Sequence, residues 1–282
     1  MILLTGSSGF IGTNFAKFFL DHKISFLGLD KKKNLYLNSK FFLKVNLLNK
    51  SKLNSIFLKY KPKLIIHLAA NPGLNFCHMN QVEAFRNNIE ASFNLLQACL
   101  KHNCKNIVSA SSMAAENYSK NPSYYGFTKI TLENLFYTYK EKFGLNSTIL
   151  RFSNIFGPYS KHKNSAVHKM IQCVLNKKTF EIHGSGKQKR DFFYSEDLVL
   201  RTLKISKLNK RKLIYNINSK KKYSVNQIFS LIQLLCKKKI NSKKIKPPKG
   251  FDVSYNDDKT DKIGFAIKKN LVKTINWYKE NK

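Results

Sequence analysis

Thr5-Gly6-Ser7-Ser8-Gly9-Phe10-Ile11-Gly12 directly follows a short apolar run, residues 2–4, and leads into an amphipathic stretch, residues 11–20. A strand that empties into a glycine-rich turn and then a helix admits few folds. In a dinucleotide-binding βαβ unit the first glycine permits the tight turn, and the second lets the backbone approach a pyrophosphate. The third lets helix and strand pack closely. Gly6, Gly9 and Gly12 stand at those places. The first-turn N–H groups of the helix, with its dipole, then favour phosphate. Asp30 closes the next apolar run, residues 24–29, and stands 18 residues after Gly12. That is close to the roughly 20 expected for a carboxylate accepting from the adenosine ribose. The same carboxylate repels a 2′-phosphate, so NAD is expected over NADP, although Lys31, Lys32 and Lys33 soften the repulsion.

Strand-like and helical runs alternate through the first half. Residues 41–45, 64–67, 107–109 and 147–151 are short and apolar, as buried parallel strands should be. Residues 50–60, 81–102 and 125–143 read as helices. The alternation predicts an α/β fold with a Rossmann-type doubly wound parallel sheet. After Gly157-Pro158 the pattern changes to short elements, with loops at 162–165 and 184–190 and a Pro247-Pro248 break. A final short helix is expected at 271–278. We therefore expect residues 1–157 to form the nucleotide-binding domain. Residues 158–282 would be mostly a smaller α/β substrate lobe, with some segments returning to the main sheet.

The formal net charge is +35, from 51 basic and 16 acidic residues. Such an excess suits binding to nucleic acid or an anionic membrane. It is also what an AT-rich coding sequence produces. Only five of the basic residues are arginine, and the lysines are scattered in runs no longer than three (31–33, 220–222 and 237–239). Nucleic-acid readers favour arginine for its bidentate fork, so no specific nucleic-acid partner is expected. A positive field also attracts an anionic substrate. No apolar stretch reaches the roughly 18 residues of a membrane span, and Ile2 already belongs to the first strand. A soluble, cytoplasmic protein is expected. The five cysteines are odd in number and form no Cys-x-x-Cys pair. They read as free thiols in a reducing compartment, with no metal site.

Tyr125 and Lys129 stand at i and i+4, on one face of the helix expected at 125–143. An ammonium beside a phenol favours the phenolate and makes Tyr125 a usable base near neutral pH. Ser111-Ser112 ends the preceding strand. With these residues placed, the chain resembles the extended short-chain dehydrogenase/reductase family, in particular the nucleotide-sugar epimerases and dehydratases. The resemblance spans nearly the whole chain. It includes His67-Leu68-Ala69-Ala70, Asn88 with Asn94-Leu95-Leu96-Gln97-Ala98, and Glu133 after Tyr125 and Lys129. It continues through residues 150–158, residues 184–192 and Tyr215-Asn216-Ile217.

The resemblance implies that Ser112, Tyr125 and Lys129 are catalytic, with Ser112 bonding a sugar hydroxyl at C4. Tyr125 would take that hydroxyl's proton, and Lys129 would hold the nicotinamide ribose. Cofactor contacts are implied at Gly6, Gly9, Phe10, Ile11, Gly12, Asp30, Asn46, Leu47, Ala69, Asn88, Tyr125, Lys129 and Phe152. Asn46 stands where the family usually has an adenine-binding aspartate. Substrate contacts are implied at Ser112, Asn154, Val167, Arg190 and Lys249; Lys249 replaces a common arginine and lacks its bidentate geometry. Asp191 is expected to hold its loop through a buried ion pair. Relatives dimerise through the helices at 81–102 and 125–143, so a homodimer is expected.

The reaction follows from what is missing. Dehydratases of the family carry two carboxylates after the catalytic hydroxyl residue, and decarboxylating relatives carry a glutamate at the second place. Here Met113 and Ala114 follow Ser112, and neither transfers a proton. What the resemblance then implies is hydride and proton movement at one carbon: Tyr125 would remove the 4-hydroxyl proton, C4 would give hydride to NAD⁺, the keto sugar would turn, and hydride would return to its other face. A nucleotide-sugar C4 ketoreductase using the same three residues stays open, because Glu116-Asn117 replaces the usual Tyr-Gly and the segment before Tyr125 is short. A non-catalytic, nucleic-acid-binding member of the fold is the third reading. The residue that tells a plain hexose from an N-acetylated one is expected near Tyr255 or Asn256.

Overall fold

A computed structural model describes residues 1–37, 40–163, 165–209, 211–246 and 264–281, the side chain of Phe265 excepted. In chain order the elements begin with β1 (Ile2–Thr5), α1 (Phe10–Asp21), β2 (Phe26–Asp30), β3 (Phe42–Lys44), α2 (Lys50–Tyr60) and β4 (Leu64–His67). Next come α3 (Leu74–Met79), α4 (Gln81–Phe85), a π turn (Arg86–Glu90), α5 (Ala91–Lys101), β5 (Asn106–Ser112), α6 (Met113–Glu116), α7 (Tyr124–Phe143) and β6 (Asn146–Phe152). They are followed by β7 (Asn154–Phe156), α8 (Ala166–Leu175), β8 (Phe180–His183), β9 (Lys189–Arg190), β10 (Phe192–Tyr194) and α9 (Ser195–Ser206). The chain ends through β11 (Ile214–Ile217), β12 (Tyr223–Ser224), α10 (Val225–Cys236), β13 (Ser242–Ile245) and α11 (Phe265–Glu280). Two compact units result: Met1–Phe152 with Val199–Ile217, and Ser153–Leu198 with Asn218–Lys282.

The first unit is built on a seven-stranded, all-parallel sheet in the order β11-β6-β5-β4-β1-β2-β3. Parallel strands covered on both faces need apolar residues throughout, and Leu3, Leu4, Leu29, Ile65, Ile66 and Ile107 are completely buried. The strand order reverses between β1 and β4. In open α/β sheets ligands bind beyond the carboxyl ends of the strands at such a point. Helix α1 turns Phe15 and Phe19 inward, and Phe19 meets Phe26 of β2 edge-on at 5.4 Å. Helix α7 starts on Ser123, whose Oγ accepts the Gly126 N–H, and stops at Gly144, which has a left-handed φ of 65°.

Several elements differ from expectation. The helix predicted over 81–102 is interrupted by the π turn at Arg86–Glu90. The extra residue directs Asn88 inward, where its side chain accepts from Asn71 N–H at 2.6 Å and donates to Asn71 O at 3.1 Å. Apolar periodicity does not register one inserted residue. Helix α3 was not predicted at all; it is six residues long and follows Gly73, whose φ is 101°.

The second unit has its own core, including Phe156, Met170, Ile171, Val174, Ile228, Ile232 and Leu271. Its strands pair in twos: β7 with β10 and β8 with β13 in parallel, β9 with β12 antiparallel. Ser224 and Gln227 form a capping box that starts α10. Helix α11 begins at Phe265, earlier than the predicted 271; the exposed Lys268 and Lys269 separate its buried Ile267 from Leu271 and break the apolar run that marks the rest of the helix.

Candidate active site

The glycine-rich turn joins β1 to α1 at the switch point. Gly6 has a φ of 71°, and a Cβ there would lie 2.6 Å from the Ala69 nitrogen. A Cβ on Gly12 would lie 2.0 Å from the Gly6 carbonyl oxygen, so helix and turn pack backbone to backbone. Gly9 is different. A Cβ there would meet only the Gly6 oxygen, at 3.4 Å. Packing within the chain therefore does not demand glycine at position 9, whereas close approach of a pyrophosphate does. No side chain caps α1, and Gly9 precedes its first residue, the buried Phe10, with Ile11 half-buried after it. Asp30, at the end of β2, accepts from Ser8 N–H at 2.9 Å and from Lys32 N–H at 3.0 Å. Its carboxylate oxygens keep further lone pairs for a ribose hydroxyl. These residues fit the adenosine half of NAD.

Asn46 is exposed beyond β3, and its Oδ1 accepts from Leu48 N–H at 3.0 Å, which leaves it one lone pair for an adenine amino group. Leu47 is buried beside it. Ala69 lies just past β4 with its N–H 3.4 Å from Thr5 Oγ1.

Ser112 is the last residue of β5, and its Oγ accepts from Ala114 N–H at 3.2 Å to start α6. Tyr125 lies in the first turn of α7 and hydrogen-bonds Ser112 through its side chain. Lys129 is one turn further on and 4% exposed; its Nζ sits 5.8 Å from the centre of the Tyr125 ring. That ammonium donates to the Ala110 carbonyl at 3.1 Å. The serine, phenol and ammonium are thus brought together beyond one strand end.

Their ionisation differs from the expectation drawn from spacing. Burial pushes the Tyr125 phenol up to about 12, against the downward pull of the Ser112 hydrogen bond, and the nearby Cys77 pushes it the same way as burial. Burial pushes Lys129 down to about 8, against the opposing influence of Cys77 and Glu133. The expected lowering of Tyr125 by its ammonium neighbour is therefore corrected. Desolvation penalises both charged forms more than proximity rewards them.

Glu133, one turn beyond Lys129, anchors α7 to the sheet. Arg151 of β6 grips it with Nη2 at 2.6 Å from Oε2 and Nε at 2.9 Å from Oε1. Ser111 of β5 donates to the same carboxylate at 2.6 Å. A buried charge pair is tolerable only when satisfied in this way. Phe152, at the end of β6, is buried.

The remaining candidates belong to the second unit. Asn154 opens β7, is exposed, and donates from Nδ2 to the Asp191 carbonyl at 3.1 Å. Arg190 lies in β9, half-buried, with Nη1 donating to Lys189 O at 2.9 Å. Val167, in the first turn of α8, is buried in the apolar core. The Asp191 carboxylate takes hydrogen bonds from Ser153 Oγ at 3.0 Å, Ser219 N–H at 2.9 Å and Ser219 Oγ at 2.8 Å. Hydroxyl and backbone donors, where an ion pair was expected, thus hold its loop. Lys249, and the region of Tyr255 and Asn256, lie outside the described residues.

Sequence reasoning assigned no role to Thr5, Asn71, Cys77, Ser92 or Thr128, and none to His67 beyond its motif. One signal was available: Thr5 and His67 are polar residues closing apolar runs, and they prove to be register partners at the ends of β1 and β4.

A family model described as the NAD dependent epimerase/dehydratase family matches residues 2–217. The chain is 34% identical to the uncharacterized UDP-glucose epimerase YtcB of Bacillus subtilis, over 82% of this chain and 81% of that one. It is 28% identical to the UDP-glucuronate 4-epimerase of Thermodesulfobacterium geofontis, over 99% and 96% of the two chains. The crystal structure of the UDP-glucose 4-epimerase of Thermotoga maritima with UDP-glucose superposes with a TM-score of 0.88 at 23% identity, covering 99% of each chain, and shares the fold. Among the described residues no group of three or more His, Cys, Asp or Glu is placed to hold a metal ion, and no helix is long and apolar enough to cross a membrane.

Proposed function

This chain belongs to the NAD-dependent epimerase/dehydratase family, the extended branch of the short-chain dehydrogenases/reductases, and from that premise we propose that it inverts C4 of a UDP-linked hexose. Its cofactor is NAD. The observation that carries the reading is the group of Ser112, Tyr125 and Lys129, followed by Met113 and Ala114 where a dehydratase needs carboxylates. The relatives named above, a UDP-glucose epimerase and a UDP-glucuronate 4-epimerase, support both the carbon and the nucleotide.

Gly6, Gly9, Gly12 and Asp30 would hold the pyrophosphate and adenosine ribose, and Lys129 the nicotinamide ribose. When bound, NAD supplies a reversible hydride acceptor. Ser112 orients the 4-hydroxyl, and Tyr125 takes its proton and later returns it. Because burial keeps the phenol protonated near neutral pH, Tyr125 becomes a base only with further positive charge beside it. A bound oxidised nicotinamide would supply such a charge. A protonated phenol is also what a ketone reduction requires, and this favours the C4 ketoreductase as the second reading.

The first unit then serves the cofactor, and the second takes the nucleotide diphosphate through Asn154, Arg190 and Lys249. Arginine suits phosphate because it offers two donors at once. Met79, Val82, Phe85, Phe93 and Tyr137 leave apolar surface exposed on α3, α4, α5 and α7. That surface supports a homodimer through these helices. The five free cysteines support the reducing cytoplasm as its location.

The test is incubation with UDP-, dTDP-, GDP- and CDP-sugars, following C4 by NMR. Inversion of a UDP-hexose without added cofactor is expected, and Tyr125→Phe should lose turnover while keeping NAD. Consumption of NADPH with a 4-keto sugar, without inversion, would favour the reductase. Full activity of Tyr125→Phe would sink the mechanism.

A further inference from the structure

The proposed chemistry leaves one set of buried polar groups in the first unit unused, and they form a continuous chain. Thr5 Oγ1 of β1 lies 2.7 Å from His67 Nδ1 of β4. His67 Nε2 lies 2.9 Å from Ser92 Oγ of α5, and Ser92 donates to the Asn88 carbonyl at 2.7 Å. The Asn88 side chain donates to Thr128 Oγ1 at 3.1 Å, and Thr128 donates to the Tyr125 carbonyl at 2.9 Å. None of Thr5, His67, Ser92, Asn88 or Thr128 is more than 2% exposed. One end adjoins Gly6 of the nucleotide turn. The other is the first turn of the helix bearing Tyr125 and Lys129.

The directions are forced by chemistry. A carbonyl only accepts, so Ser92 directs its proton to Asn88 and must itself accept from Nε2–H. A neutral ring protonated at Nε2 offers Nδ1 as an acceptor, and the Thr5 hydroxyl donates to it. Thr5 Oγ1 in turn accepts the Ala69 N–H at 3.4 Å. Burial, and after it the Lys129 ammonium, push His67 down to about 3, so the ring stays neutral in working conditions. Apolar side chains would fill this space without needing partners. A fully satisfied polar chain instead fixes one arrangement, and it runs through the π turn, a distortion frequent at functional sites.

We propose that His67 is a positioning residue whose Nε2–H tautomer couples the cofactor turn at Thr5-Gly6 to the helix carrying Tyr125 and Lys129. The inference rests on the function proposed above. Two measurements test it. In protein carrying ¹⁵N-labelled histidine, one ring should show a protonated Nε2 and a bare Nδ1, unchanged from pH 5 to pH 9. A doubly protonated ring or Nδ1–H at His67, its signals assigned by their loss in His67→Gln, overturns the proposal; His22, whose Nδ1 faces the Phe18 carbonyl, supplies the contrasting tautomer.

The second is a double-mutant cycle between Thr5→Val and Ser92→Ala, small changes on the two sides of His67. Each should lower kcat by about tenfold with the sugar KM within about twofold, and each should weaken NAD⁺ binding. The double variant should be little worse than the poorer single one, because either change breaks the same chain. Effects that multiply, or single variants indistinguishable from wild type, overturn the coupling. If the wild type turns over no sugar in the panel, the functional reading fails. The histidine spectrum and the cycle in NAD⁺ affinity still decide the role of His67.

Discussion

Lys129 shows how burial and charge compete at a single residue. The unfolded chain holds this proton with a pKa of 10.5, and the folded chain holds it only to about 8. Between those values the unfolded state binds more protons, so stability rises with pH. The contribution is complete above 10.5 and lost as pH falls through 8. At pH 7 the burden is about 3 kcal/mol. Lys129→Met should therefore raise the melting temperature at pH 7, with the gain shrinking toward pH 10.5, while turnover disappears. Thermal melts at the two pH values check this, and a gain independent of pH would contradict it. Ser112, Tyr125 and Lys129 were legible because their spacing and strand context are local. Their proton affinities were not. These depend on burial and on Cys77, which arrives from α3 and is completely buried, and no spacing rule places it.

At the scale of elements, the three glycines separate packing from binding. Gly12→Ala puts a Cβ against the Gly6 carbonyl, a backbone atom that has little room to move. It should cost at least about 2 kcal/mol of stability. Gly9→Ala meets no such obstacle, so stability should change by less than about 1 kcal/mol while NAD affinity falls about tenfold. Urea melts and cofactor titration of the two variants separate the cases. If Gly9→Ala bound NAD normally, position 9 would not face the pyrophosphate. Strands β1 to β6 were readable because each is a short apolar run bounded by polar residues. The π turn was not, since Asn88 is turned inward by hydrogen bonds to Asn71 and Thr128 that lie far from it in sequence. Helix α3 is too short to carry a period.

Across the whole molecule, the parallel sheet followed from the alternation of elements, and a return of some later segment to it was expected, but which segment returns was not legible. Strand β11 pairs with β6 after an excursion through β7 to α9, and nothing in the local pattern of Ile214–Ile217 declares that partner. The +35 charge is consistent with drawing in an anionic nucleotide sugar, and it leaves the sheet architecture unaffected. What the fold assembles is a serine, a phenol and an ammonium at one strand end, the group that the proposed reaction would use to take a proton from a hydroxyl and give it back. The most direct test is a UDP-hexose carrying deuterium at C4, incubated with the protein as purified. We predict product inverted at C4 that keeps its deuterium, with none released to water and no product from Tyr125→Phe. Label lost to solvent, or oxidation of the sugar with no inverted product, would contradict the account.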